Sequence, residues 1–326
     1  MDIEEHQFSK PYRVGVLLID NFAMMSYAST VEPMRAANLL SEQELYKIEH
    51  LCSNDGFATS SSGIKLDASI ALKDAINLDI LFVIAGGNPF TFADDKVSAA
   101  LRKVSARGVI LGGVSAGPCI LAMTGVMSDR RMTVHWEHAQ SLIERIPKLL
   151  LAKSLYVIDR DRITCAGGTA PLDMMHALIT KHYGSIFARK VSDWFMHTEV
   201  RPAGGQQRSG LVERYNTTNA SVIKTIEVME NHLADPLKLN QLAKSCELSS
   251  RQLNRLFTDQ IGLSTMQFYL ELRLNQARTL CEQSTLSITE ISVASGFSSL
   301  SHFSTKFSDH FKLTPSEIRS KNSHHC

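Results

Sequence analysis

The 326-residue chain has no apolar run near the eighteen or so residues that a membrane span needs, and its charged opening, MDIEEHQFSKPYR, has no apolar signal region. Both absences argue against a membrane-bound or secreted protein, and the expected compartment is the cytoplasm. Cysteine is scarce and dispersed. Cys52, Cys119, Cys165, Cys246, Cys281 and Cys326 form no C-x-x-C pair and no zinc-like spacing, so the expectation is reduced thiols, mostly filling cores. Charge of one sign is missing as well. The net value is +1, and dividing the chain at Thr217 leaves 23 basic and 23 acidic residues before it, 11 and 10 after it. Bulk attraction to nucleic acid is thereby excluded, and any such partner must be argued from local arrangement.

Two rhythms are present. Up to about residue 190, short β-branched runs (12–19, 48–52, 78–87, 108–115 and 162–168) alternate with stretches of helical spacing (34–46, 94–108 and 171–184). That alternation predicts βαβ units and a parallel sheet covered by helices on both faces. RPAGGQQRSG (201–210) has no apolar periodicity and reads as a linker. From Asn219 onward the pattern is helical. The expected division is therefore 1–200, a linker over 201–217, and 218–326, with the terminal His324-His325-Cys326 as a tail.

The helical part repeats itself. LAKSCELSSRQLNRLFTDQIGLSTMQF (242–268) aligns with ISVASGFSSLSHFSTKFSDHFKLTPSEI (291–318) at an offset of about 49 residues, becoming 50 after one insertion. Each copy reads as a short helix, a tight turn and a second helix opened by serine. In the first, Ser249 and Gln252 make a capping box, Leu253, Leu256 and Phe257 face inward, and Arg251, Gln252, Asn254, Arg255 and Thr258 face outward. In the second, Ser287 and Glu290 cap the leading helix and Gly296 sits at the turn. Leu300, Phe303 and Phe307 face inward there, and Ser301, His302, Ser304, Thr305 and Lys306 outward. An outward face rich in Arg, Asn, Gln, Ser and Thr suits the major groove, where Arg bonds guanine, Asn or Gln bonds adenine, and hydroxyls bond phosphates or base edges. The DNA-contacting set is read as Ser250, Arg251, Gln252, Asn254 and Arg255 in the first copy and Ser299, Ser301, His302, Thr305 and Lys306 in the second.

These motifs, with YLELRLNQARTL between them, resemble the double helix-turn-helix domain of AraC/XylS-family transcription factors over roughly 219–320. The resemblance implies two recognition helices entering successive major grooves of double-stranded DNA. Three positions depart from the family pattern: Glu247 and Lys312 stand where glycine is usual, and Thr265 where proline is.

LGGVSAGPCILA (111–122) carries Gly113-Val114-Ser115-Ala116-Gly117, the G-x-S-x-G pattern of a serine nucleophile elbow. An α/β-hydrolase would follow Ser115 with an acid (Asp159, Asp161 or Asp173) and then a histidine (His176 or His182). EPMRAAN (32–38), HWEHAQSL (135–142) and CAGGTAPLDMM (165–175) point elsewhere. The first half resembles the PfpI-like, class I glutamine amidotransferase-like fold found in the sensor half of GlxA-type regulators. Enzymes of that fold use an elbow Cys, a His about twenty residues later and an early acid. Here those positions fall on Ser115, His135 and Ser26, and with serine in the acid's place a catalytic base would lack its orienter.

The expectation is thus an α/β PfpI-like domain followed by an all-α double helix-turn-helix domain, acting as a DNA-binding regulator and not as an enzyme. Its elbow is read as an effector pocket lined by Ser115, His135, Trp136, Gly86, Gly87, Asn88 and Ser26, placed where open α/β sheets bind ligands. The resemblance implies a quaternary amine or an amino acid as effector. Trp136, Phe22, Tyr27 and Phe90 are candidates to face a cation, and Glu32 or Glu137 to pair with arginine. His135 and His138 lie three apart without an evident third ligand, so no metal and no cofactor are expected. A homodimer with contacts in the first half, activation as the usual sign, and RNA polymerase as a further partner follow from the family. The competing reading is a Ser115-dependent hydrolase or amidase fused to a DNA-binding domain.

Overall fold

The structure is a computed structural model that describes residues 10–53 and 56–323; Cys326 and the terminal histidines lie outside the described residues. The chain divides into two compact units, after Gln207.

Among the described residues the first unit has ten strands: β1 (Tyr12–Leu18), β2 (Tyr46–Cys52), β3 (Phe57–Thr59), β4 (Lys65–Asp67), β5 (Ile80–Ala85), β6 (Ile110–Ser115), β7 (Arg131–Met132), β8 (Leu150–Leu151), β9 (Tyr156–Asp159) and β10 (Arg162–Cys165). Six form one sheet in the order β2-β1-β5-β6-β10-β9, parallel throughout except for the antiparallel β9–β10 edge. The runs at β1 and β5 were legible because strands inside a covered sheet are nearly continuously apolar, and those at β2, β6 and β10 because of their β-branched and apolar residues. β9 escapes that test: it is a four-residue edge strand, joined to β10 by a turn with Arg160 at φ 56°.

Six helices cover the sheet: α1 (Met24–Ser41), α2 (Asp95–Ala106), α3 (Gly117–Met123), α4 (Trp136–Arg145), α5 (Ala170–Tyr183) and α6 (Ser185–Trp194). Side-chain alternation sorts them into two layers. Val14, Val16, Leu18, Phe82 and Ile84 point to one face and pack with Met34 of α1, Met174 and Leu178 of α5 and Val191 of α6. Leu17, Leu81, Val83 and Leu111 point to the other and pack with Val97 and Leu101 of α2, Ile120 and Leu121 of α3 and Leu142 of α4. The helix expected over 34–46 instead runs from Met24 to Ser41, with Glu42 left-handed at its end. Its first half is masked in sequence by Ser26, Ser29, Thr30 and the internal Pro33, all buried, and Thr30 Oγ1 donates back to Ser26 O at 2.7 Å.

The second unit is helical: α7 (Leu211–Tyr215), α8 (Ala220–Asn231), α9 (Leu239–Ser245), α10 (Ser250–Ile261), α11 (Thr265–Gln283), α12 (Ile288–Ala294), α13 (Leu300–Phe311) and α14 (Pro315–Ser323). It holds two cores. Leu253 and Phe257 pack with Val222, Ile226 and Tyr269, and the repeat-equivalent Phe303 and Phe307 pack with Leu274, Leu280 and Ile291. The stretch read as a linker is ordered in two pieces. Residues 201–207 belong to the first unit and 211–215 form α7 of the second.

Candidate DNA interface and effector site

The second unit contains two helix-turn-helix motifs, α9–α10 and α12–α13. Both expected capping boxes form, Ser249 with Gln252 and Ser287 with Glu290, and Ser299 accepts from His302 N at 3.3 Å. The turns depend on left-handed residues at matching places, Glu247 (φ 58°) and Gly296 (φ 74°), and both second helices end on left-handed Gly262 (φ 82°) and Lys312 (φ 58°). The substituted glycines of the family pattern are therefore the positions where an L-residue is strained. At Gly296 a Cβ would also stand 2.6 Å from Leu233 O and from Pro236 Cδ. On α11, Arg273 donates to Ser295 O (2.8 Å) and Gly296 O (2.7 Å) and lies 4.3 Å from the centre of the Phe297 ring. One long helix thereby clamps the second turn while the loop after α8 packs against it.

On the outward faces, Arg251, Gln252, Ser299, Ser301, His302 and Thr305 are exposed, as is Arg255, while Lys306 is half-buried. Thr305 returns its hydroxyl to Ser301 O at 3.0 Å. Gln252 Oε1 accepts from Ser249 N and Oγ (2.9 and 2.8 Å), so its oxygen is engaged in the cap. Asn254 is a correction to the outward set: it is half-buried, and its Oδ1 accepts from Thr265 N at 3.0 Å, capping α11. Leu300 is the reverse correction. Expected inside, it is 42% exposed, because it opens α13 a full turn before the buried Phe303.

In the first unit, Ser115 ends β6 in the left-handed region at φ 61°, the strained tip that the elbow pattern implies. The flanking glycines are required by packing. A Cβ on Gly117 would lie 2.0 Å from Val83 O, and one on Gly113 2.7 Å from Pro118 N. The loop after β10 closes over the tip: a Cβ on Gly167 would stand 2.8 Å from Ser115 Cα and Cβ and 3.0 Å from Ser26 Oγ. The buried Ser26 Oγ accepts from Gly168 N at 2.8 Å, so the residue in the acid's place acts as a hydroxyl brace. At the end of β5, a Cβ on Gly86 would meet Asn21 O at 2.4 Å, Gly87 is left-handed, and Asn88 Oδ1 accepts from Phe90 N at 3.0 Å.

The remaining residues of the expected set stand at the start of α4. His135 caps the helix through Nδ1, accepting from Glu137 N at 3.4 Å. Burial, then the neighbouring His138, lower its pKa against the pull of Glu137, which favours the neutral ring near neutral pH. Trp136 is 45% exposed, 5.2 Å from the His135 ring. Phe90 joins this helix start to the β5 loop, meeting His138 edge-on at 6.1 Å. Of the other aromatic candidates, Phe22 is fully buried and the Tyr27 hydroxyl is bonded to His50 Nε2 at 2.9 Å. Glu32 pairs with Arg35 at 2.7 Å.

The start of α3 has few N–H groups to offer a ligand. Pro118 has no N–H, and Ala116 and Cys119 already donate to Ala85 O (3.3 Å) and Ala116 O (3.1 Å). Glu137 does supply the third group that spacing left unidentified, since ligand atoms of His135, Glu137 and His138 lie within 4.8 Å of one another. They crowd the N-terminus of α4, where the helix dipole favours negative charge, and we assign no metal to them.

A hydrolytic triad does not assemble. Among the described residues no hydrogen bond joins Ser115 to His135. The alternative acids and histidines are engaged elsewhere: Asp173 with Arg201 (2.7 Å) and His197 (2.9 Å), Asp159 with Arg160, Asp161 with Arg130 and Arg162, His176 with Ser192 (2.8 Å), and His182 with Tyr46 (2.9 Å).

Comparison with known proteins places both halves. The DJ-1/PfpI family model matches residues 12–181, and a helix-turn-helix domain model matches 242–321. The chain is 42% identical to the HTH-type transcriptional regulator GlxA of Rhizobium meliloti (strain 1021), covering 94% of this chain and 95% of that protein. It is 37% identical to the HTH-type transcriptional regulator CdhR of Pseudomonas aeruginosa, covering 93% and 90%. Among solved structures, an AraC family transcriptional regulator from Pseudomonas putida matches at TM-score 0.53 and 27% identity, over 57% of this chain and all of that one. A ThiJ/PfpI family protein from Pseudomonas syringae shares the fold at TM-score 0.51 and 20% identity, over 71% and 93%.

Proposed function

Since the chain belongs to the GlxA-type family of HTH transcriptional regulators, in which a DJ-1/PfpI domain precedes an AraC-type helix-turn-helix domain, it is a DNA-binding regulator and not an enzyme, and we propose that its elbow is the effector pocket. The observation that carries this reading is the strained Ser115 tip, enclosed by Gly167 and the buried Ser26 but without a bonded base. A site built like a nucleophile's, with its activating partners replaced, retains the means to bind a small molecule without turning it over.

The proposed effector is a quaternary amine or an amino acid that drives its own catabolism through this regulator. Trp136, 45% exposed beside His135, supports a cationic group, whereas Phe22 belongs to the core and the Phe90 ring already has the Arg145 guanidinium 4.8 Å from its centre. The reading face is proposed as Ser250, Arg251, Gln252 and Arg255 in α10, with Ser299, Ser301, His302, Thr305 and Lys306 in α13. Asn254 is left out of it. A homodimer and contact with RNA polymerase are carried by the family resemblance and belong to the same proposal.

The test is thermal denaturation of the full chain with glycine betaine, carnitine, choline and the amino acids, alongside Ser115→Ala and Trp136→Ala. A ligand at a hundred times its dissociation constant stabilises by about 2.7 kcal/mol, an easily measured rise in midpoint. A rise lost in both variants is expected. Ester or amide turnover abolished by Ser115→Ala would instead restore the hydrolase.

A further inference from the structure

The segment that runs from α6 to the end of the first unit is bonded at both ends to the walls of the elbow site. Next to Gly168, Thr169 Oγ1 accepts from Arg201 Nη2 at 3.0 Å. Arg201 also grips the fully buried Asp173 three times, donating from its backbone N to Oδ1 (2.7 Å) and from Nε (3.0 Å) and Nη2 (2.7 Å) to Oδ2, while His197 Nε2 lies 2.9 Å from the same Oδ1. Two residues on, Ala203 O accepts from Leu155 N at 2.9 Å, and Leu155 O in turn accepts from Ala166 N at 2.8 Å, immediately before the loop that covers Ser115. At the far end, Gln207 Nε2 reaches Ser154 O (2.7 Å), Val134 O (3.0 Å) and Thr133 Oγ1 (3.1 Å). Val134 directly precedes His135, and Gln207 is the last residue of the first unit.

We propose that Arg201 and Gln207 are positioning residues that tie both walls of the elbow site to the segment leading into the second unit, so that the two walls and this strap share one equilibrium. The proposal rests on the elbow being the sensor. A solvated tether needs none of these bonds, and ordering residues 201–207 costs backbone entropy that they offset. A ligand that presses on Thr169 or His135 acts on one hook of the strap, and what differs between its two positions is delivered at Arg208. This is a two-state element that both a ligand and the DNA-binding unit are able to bias.

The test is hydrogen exchange on the full chain carrying Gln207→Leu or Arg201→Lys, read at the wall that the substitution does not touch. Gln207→Leu should speed exchange at the Gly168 amide, and Arg201→Lys at the Glu137 amide, by about threefold or more. Affinity of the full chain for a duplex selected by the unsubstituted protein from a random library should shift in both. Should Arg201→Lys fail to fold around Asp173, Gln207→Leu alone decides. A simple clasp would loosen only its own end, and that result overturns the proposal, as does a cross-effect without any change in DNA affinity. A ligand panel that stabilises nothing sinks the sensor reading instead, and is distinguishable because the cross-effect needs no ligand.

Discussion

The two helix-turn-helix motifs share a scaffold and differ in what they present. Leu253 and Phe257 of α10 become Phe303 and Phe307 of α13, all fully buried, and serine caps both helices. Outward, the first offers two arginines and the amide of Gln252. The second offers hydroxyls, His302 and the half-buried Lys306. Guanidinium forks discriminate bases bidentately, whereas hydroxyls, and an amide whose oxygen is already engaged, bond phosphates and base edges with less selectivity. The two copies keep the same buried scaffold and differ in the faces proposed to read DNA, so they should contribute equally to stability and unequally to sequence choice.

The first half of that statement is open to the largest perturbation. Phe257→Ala and Phe307→Ala should each cost about 3–5 kcal/mol, read as lost midpoint in thermal denaturation, and a large inequality between them would show that the cores are not equivalent. The second half is tested by DNA binding. Arg251→Ala and Arg255→Ala should each weaken binding by about 1–3 kcal/mol and relax the preference at particular base pairs, whereas Ser301→Ala and Thr305→Ala should cost under about 1 kcal/mol. Binding should also fall steeply with salt, and a flat response would speak against phosphate contacts altogether.

The turns offer a smaller contrast. Gly296→Ala should destabilise by about 1–3 kcal/mol, because φ is 74° and the new methyl meets Leu233 O. Glu247→Gly should stabilise by less than about 1 kcal/mol, relieving the same strain against glycine's entropy. Acidification separates the units at the smallest scale. His182, in the first unit, is stacked on Tyr12 at 4.2 Å, and burial followed by the charge of Lys181 lowers its pKa from 6.5 to about 4. Between those values the unfolded chain binds the extra proton, so stability is lost as pH falls through that window. His182→Gln should flatten the decline in midpoint there; an unchanged slope would assign the acid sensitivity to other groups.

How much of this was legible in sequence depended on whether the signal was local. Continuous apolar strands, the capping boxes at Ser249 and Ser287 and the 49-to-50 offset are local, and each has its counterpart in the structure. Asn254 and Leu300 were misassigned because helical phase gives a direction without saying what stands there: Asn254 finds the start of α11, and Leu300 precedes the core by one turn. Around the elbow, the residue types at Ser26, Ser115 and His135 were legible, but the closure of Gly167 over the tip comes from β10, half a domain away. The polar stretch 201–207 looked like a solvated linker because hydrogen-bonding groups that are satisfied and groups that face water have the same composition.

The 19-residue α11 acts as a ruler. At 1.5 Å per residue it is about 28 Å long, comparable with the roughly 34 Å repeat of duplex DNA, and it joins one helix-turn-helix to the other. With Arg273 holding the second turn to this rod, the spacing of the two motifs is set by the protein rather than adjusted to each promoter. With both motifs on DNA as proposed, base changes within one contacted stretch should be graded losses, whereas an insertion of about half a turn between the two stretches should carry one of them to the opposite side of the duplex.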